Sequence, residues 1–247
     1  MTSKPCPYCG KTLRPRMVEL MGRTVTCGWE PCGCDGEAEA ERVAGEREAS
    51  EKARLERERS MRRYALAGIP PLFLQSRKGC EDVYQVVRRS AHSILQGVRD
   101  GRGAYIVGGV GTRKSLVAAT ACRYAVDDGL SARYTSASKV LDAVRGTYGT
   151  SKDSKAVMEA YATTRFLVLD DLGKESPTDW TLMKLFELVN DRYEQMRPVV
   201  ITTQCKRSEL IERLGKNGDR ETAVAIASRL AETCDTYDFS GPDGRLA

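Results

Sequence analysis

The chain has 247 residues, 39 Lys and Arg against 34 Asp and Glu for a formal charge of +5, 41% apolar residues, one histidine and nine cysteines. That length allows one or two domains, and the apolar share supports one modest core. The single histidine, His92, excludes His-rich metal sites and leaves a Ser-His-Asp mechanism one candidate base, so chemistry must rest on Lys, Asp, Glu, Arg or Cys.

Five of the cysteines, Cys6, Cys9, Cys27, Cys32 and Cys34, fall within the first 34 residues, while Cys80, Cys122, Cys205 and Cys234 are scattered. The N-terminal stretch is short of apolar runs and rich in Cys, Gly and Pro, as expected of a module (1–36) held by a metal rather than a core. Cys6-Pro7-Tyr8-Cys9-Gly10 is a knuckle whose tight turn lets two thiolates bite one Zn²⁺. Two further ligands come from Cys27, Cys32 and Cys34; Cys32 with Cys34 is the favoured pair and Cys27 with Cys32 the near alternative. A redox CxxC is the competing reading, but the βαβ context it needs is absent. Lys4, Lys11, Arg14, Arg16 and Arg23 against Glu19 and Glu30 make the module basic, which suits nucleic acid or a protein partner. With no apolar stretch of about 18 residues and no signal-peptide pattern, a cytoplasmic location with reduced thiols and no membrane contact is expected.

Between Glu37 and Arg63 stand eight acids and eight bases, with apolar residues too sparse for a heptad seam. A solvated helix is expected over 37–66 as a semi-rigid spacer, with Glu48–Lys52 and Glu58–Arg62 as i,i+4 pairs. Gly68-Ile69-Pro70-Pro71 stops it and opens a second domain, 67–247. Val83, Val86, Val87, Ile94, Leu95 and Val98 then fit an amphipathic helix that carries His92 as a structural or surface residue.

Extended stretches at 104–107, 132–135, 166–169, 199–202 and 236–239 alternate with helical ones at 114–127, 139–144, 180–196, 208–214 and 222–232. Short β-rich runs separated by helices predict an α/β fold with a parallel sheet sandwiched by helices. Gly108-Gly109-Val110-Gly111-Thr112-Arg113-Lys114-Ser115 sits between the first of these strands and its helix, where a P-loop belongs. Its backbone N–H groups would cradle phosphates, Lys114 would reach the β and γ phosphates, and the Ser115 hydroxyl would bind Mg²⁺. Arg113 stands where the pattern has its second glycine, which threatens a costly backbone dihedral of about 1–3 kcal/mol. Phe166-Leu167-Val168-Leu169-Asp170-Asp171 is a buried strand ending in two acids, the Walker B arrangement, with Asp170 supporting Mg²⁺ and Asp171 orienting or activating water. The tip of the 199–202 strand would bring Thr203 or Gln204 to the γ-phosphate. Arg229 is either a finger for a neighbouring subunit's nucleotide or a solvated residue.

Together these residues resemble the AAA+ ATPases of the DnaC/DnaI type, the helicase loaders, and their IstB-type relatives in transposition. The resemblance runs from about Ala67 to the C-terminus. It rests on AGIPP at 67–71, the P-loop, FLVLDDLG at 166–173, NDRYEQMRPVVITTQ at 190–204, SRL at 228–230 and GPDGR at 241–245. It implies ATP, Mg²⁺ and Zn²⁺ as cofactors, catalytic roles for Lys114, Asp170, Asp171, Gln204 and Arg229, and no firm role for Arg245. It further implies a replicative hexameric helicase and single-stranded DNA as partners, and a homo-oligomer when ATP is bound. Two departures stand out: Arg113 for the family's glycine and Gln204 for its usual asparagine. The other readings are an IstB-like transposition helper and a zinc adaptor that barely hydrolyses ATP because of Arg113.

Overall fold

The structure is a computed structural model that describes residues 4–20, 22–75, 81–151, 153–217, 219–241 and 243, without the side chains of 81–83. Cys80, the side chain of Val83 and Arg245 therefore lie outside the described residues. The chain divides into two units, 1–59 and 60–247.

The first unit holds two small antiparallel ribbons, β1 (Lys4–Pro5) with β2 (Thr12–Leu13) and β3 (Pro15–Leu20) with β4 (Arg23–Trp29). It also contains most of α1 (Asp35–Leu66). None of the 32 residues of α1 is buried, in keeping with a solvated helix. Its ion pairs differ in detail from the expected ones: Arg42 pairs with Glu39 and Glu46, and Arg54 with Glu51 and Glu58, so Glu58 turns toward Arg54 rather than Arg62. Exposed pairs of this kind are worth a few tenths of a kcal/mol, too little to dictate which partner a side chain takes.

In the second unit, the end of α1 is tied down where Tyr64 donates to Asp127 at 2.7 Å. A 3-10 turn (Pro71–Leu74) follows, then α2 (Glu81–Arg99), β5 (Gly103–Val107), α3 (Lys114–Asp127), β6 (Ala132–Ser136), α4 (Ala137–Arg145) and α5 (Ser154–Ala162). The remaining elements are β7 (Phe166–Leu172), α6 (Asp179–Glu194), β8 (Val199–Thr203), α7 (Arg207–Leu214), a short turn (Gly215–Asn217), α8 (Arg220–Thr233) and β9 (Cys234–Asp238). The five strands β5 to β9 form one parallel sheet in the order β6-β7-β8-β5-β9.

Alternation along the strands splits the core into two layers. Tyr105, Val107, Leu167, Leu169, Val199 and Ile201 face α4 to α8. Ala104, Ile106, Phe166, Val168 and Val200 face α2 and α3 and the segment carrying Ala67 and Ile69. Because both faces are covered, the inner strands β5, β7 and β8 read as largely apolar runs. Since β5 has β8 on one side and β9 on the other, the chain leaves it in both directions, and the crevice at the carboxyl ends of the strands opens there.

Candidate nucleotide and metal sites

The loop 108–113 leaves the carboxyl end of β5 and enters α3, so the unbonded N–H groups of the helix's first turn point into the loop. Gly108 is required by close approach, since a Cβ there would lie 2.3 Å from the Phe239 carbonyl oxygen. At Gly111, φ is +73° and a Cβ would fall 1.6 Å from Oδ1 of Asp243, so that carboxylate lies directly against the loop. Of the GPDGR stretch, Gly241 and Asp243 are described.

Arg113 has φ 69° and ψ 16°, the left-handed conformation that glycine adopts without cost. The dihedral threatened by the sequence is thus adopted. Lys114, 6% exposed, turns back over the loop and donates to the Gly109 carbonyl and, at 3.4 Å, to Thr112 Oγ1.

Asp170 and Asp171 sit in a bulge of β7: Leu169 pairs with Ile201 and Leu172 with Thr203, leaving two residues of β7 opposite Thr202 alone. Asp171 takes φ 59°, a conformation aspartate tolerates better than most residues, and the bulge aims the two acids differently. Asp170 accepts hydrogen bonds from the Tyr134 hydroxyl at 2.6 Å and the Thr202 hydroxyl at 2.5 Å. The Asp171 N–H donates to Thr202 Oγ1 at 2.9 Å, and its carboxylate pairs with Lys174 at 2.9 Å. Burial and then the Asp170 charge push the Tyr134 phenol well above the usual range, and a hydrogen bond with the Ser115 side chain works against that rise.

Since β8 lies between β7 and β5, its tip stands between the two acids and the phosphate loop. Thr203 is fully buried and donates to the Leu172 carbonyl at 2.7 Å, which makes it a tie between strands. Gln204 emerges just beyond it and lines a cavity of about 580 Å³ with Gly173, Lys174, Glu175, Arg213 and Lys216. Glu175 is 8% exposed; Gly173 N–H donates to one of its oxygens and the other has no hydrogen-bond partner. Burial raises its pKa.

Arg229 lies apart from this constellation. It sits late in α8, five residues before β9 begins, and so toward the edge of the sheet opposite the phosphate loop. Its guanidinium stacks on Phe186 at 4.7 Å and Tyr193 at 5.5 Å. His92 stacks on Tyr124 at 4.3 Å, away from the loop's acids and lysine.

In the N-terminal unit, the thiols of Cys6, Cys9, Cys32 and Cys34 lie within 4.8 Å of one another, with Cys9 to Cys32 at 3.3 Å and Cys6 to Cys34 at 3.8 Å. Sulfurs around a tetrahedral zinc with bonds of about 2.3 Å stand about 3.8 Å apart, so the group fits one ion. Cys34 is fixed by α1, whose first N–H groups, from Glu37 and Ala38, donate to its carbonyl. The Cys9 thiol is lowered to about 7 by the Lys11 backbone and then by Cys32, while Cys32 is raised to about 12, first by Cys9. Four thiols packed together cannot all ionise without a cation among them. Cys27 is outside the group: the bulge between β3 and β4 leaves it unpaired, and its thiol donates to the Arg16 carbonyl at 3.3 Å. Between the two ligand sets the sequence left open, the structure gathers the one with Cys32 and Cys34.

Sequence reasoning assigned no site role to Tyr134, Thr202, Lys174 or Asp243, although Asp243 stands in the GPDGR stretch. Each is brought to the site by strand register or by a loop's return.

A phosphate loop at the switch point of a parallel sheet, two acids at the tip of a strand one removed, and a polar residue on the strand between them define an ATP-binding protein of the AAA+ fold. Residues 90–247 match the family model of the IstB-like ATP binding protein, and the chain belongs to that family. No curated protein sequence matches it. Among solved structures it is similar to the crystal structure of the DnaC helicase loader, with a TM-score of 0.50 and 20% identity over 66% of this chain and 91% of that one. It is also similar to the crystal structure of DnaI, with a TM-score of 0.49 and 18% identity over 57% of this chain and 72% of that one. Domain III of the Thermotoga maritima replication initiation protein DnaA gives a TM-score of 0.49 and 21% identity over 68% and 65%. At these identities the likeness is one of fold. Among the described residues no helix is long and apolar enough to cross a membrane.

Proposed function

We propose that this protein is an ATP-dependent loader or accessory protein for a hexameric replicative helicase, acting in the cytoplasm. In this reading the Cys6, Cys9, Cys32 and Cys34 module binds zinc and contacts the helicase. The AAA+ unit binds ATP and single-stranded DNA and controls release of the helicase. Lys114 holds the terminal phosphates, Ser115 and Asp170 hold the Mg²⁺ that offsets phosphate charge, Asp171 orients water, and Gln204 senses the γ-phosphate. Arg229, at the far edge of the sheet, reaches a nucleotide only from a neighbouring subunit, so the reading includes a homo-oligomer in the ATP-bound form.

The observation that carries the reading is the likeness to a helicase loader over 91% of that loader's length, with a four-thiol module ahead of the matched unit. A second reading, an ATPase that assists transposition, is favoured by the family model itself. Size-exclusion chromatography with the host's hexameric helicase separates the two. The loader reading expects a complex that Cys9→Ser weakens at least tenfold, together with loss of about one zinc per chain. Absence of a complex, with stable binding to a transposase instead, would establish the second reading.

A further inference from the structure

Asp170 is gripped from both sides. Its strand, β7, lies between β6 and β8, and each neighbour sends one hydroxyl to it: Tyr134 of β6 to Oδ2 at 2.6 Å and Thr202 of β8 to Oδ1 at 2.5 Å. Both donors are buried, Tyr134 at 7% exposure and Thr202 at 0%, while the carboxylate they hold is partly open to the site. Hydrogen bonds to a charged acceptor in such surroundings are short and strong, and they fix the rotamer of the group that accepts them. Thr202 also accepts from the Asp171 N–H at 2.9 Å, which holds the left-handed backbone of the second acid. Tyr134 is in turn anchored by its own backbone, whose N–H donates to the Ala67 carbonyl at 2.7 Å.

We infer that Tyr134 and Thr202 are positioning residues for Mg²⁺: they hold the Asp170 carboxylate in the one orientation in which, with the Ser115 hydroxyl, it serves the ion. The inference rests on the ATP-site reading and deepens it. Partners of this kind, one shell behind the groups that serve a metal, change its affinity by about 10–100-fold when removed. Tyr134 and Thr202 bring two strands, β6 and β8, that are distant in sequence onto one carboxylate.

The test uses the full chain and a fluorescent ATP analogue titrated with Mg²⁺. Tyr134→Phe keeps the ring and loses one donor; Thr202→Val keeps the shape and loses the other; Asp170→Asn is the reference. Each of the first two should leave thermal melting without ligand within a few degrees of wild type and raise the Mg²⁺ midpoint about tenfold. Analogue affinity at saturating Mg²⁺ should stay within about threefold of wild type. If one variant fails to fold, the other carries the same measurement. Unmoved midpoints in both variants, while Asp170→Asn shifts its own, would overturn the positioning role and leave the ATP site standing. A wild-type protein whose nucleotide binding ignores Mg²⁺ would overturn the ATP-site reading and this inference with it.

Discussion

Arg113 bears on whether this ATP site can work. The sequence raises the cost of a left-handed backbone at this position. The structure holds Arg113 in that conformation at φ 69°, so the strain weighs on the stability of the folded chain. Arg113→Gly should therefore raise unfolding stability by about 1 kcal/mol, measured by urea denaturation, with nucleotide affinity changed less than tenfold. A gain in affinity of a hundredfold or more would instead support the reading of a hydrolysis-deficient adaptor. Asp171 is also left-handed, at φ 59°, so the phosphate loop and the acid strand each hold one non-glycine residue in a conformation chain chemistry disfavours. Lys114, Asp170 and Asp171 were legible because their motifs are local in sequence. Tyr134 and Thr202 were not, because their proximity to Asp170 depends on strand order and on a two-residue bulge that no run of letters records.

At the scale of elements, the sheet was the most legible part. All five strands of the parallel sheet overlap the extended stretches read from the sequence, most plainly β5, β7 and β8, whose burial on both faces leaves apolar runs. Helix α5 was missed: its apolar residues Val157, Met158, Tyr161 and Ala162 have helical spacing, but they follow a polar, glycine-containing loop that masks the period. The N-terminal ribbons were missed for the opposite reason, since Met17, Val18, Leu20 and Val25 are exposed and no alternating face is buried. One buried charge ties α5 to the sheet. Arg192 of α6, 1% exposed, donates to the carbonyls of Tyr161, Ala162 and Thr164 and to that of Pro198. Burial and then the Arg197 charge pull its guanidinium down to about 9. Arg192→Ala leaves those carbonyls without a donor and opens a cavity, so it should cost about 3 kcal/mol in denaturant unfolding. A loss below 1 kcal/mol would mean that water replaces the guanidinium freely.

At the scale of the whole molecule, the near balance of charge hides three parts of different physics. A basic module carries four thiols gathered closely enough to hold one metal ion. A helix with no buried residue is held by i,i+3 and i,i+4 ion pairs and by fixed points at its two ends. The remaining unit buries two apolar layers around a sheet and places its chemistry at the sheet's carboxyl edge. Among the described cysteines, four can share an ion and Cys122, Cys205 and Cys234 are buried in the second unit, where burial raises the Cys122 thiol to about 12 and makes it inert. The measurement that bears most directly on the proposed function is loading of the host's hexameric helicase onto circular single-stranded DNA, read as strand unwinding. With this protein and ATP, unwinding should rise at least tenfold over helicase alone, and Lys114→Ala should return it to the helicase-only level. Unwinding that is the same with and without the protein, under conditions where the protein binds ATP, would contradict a loader.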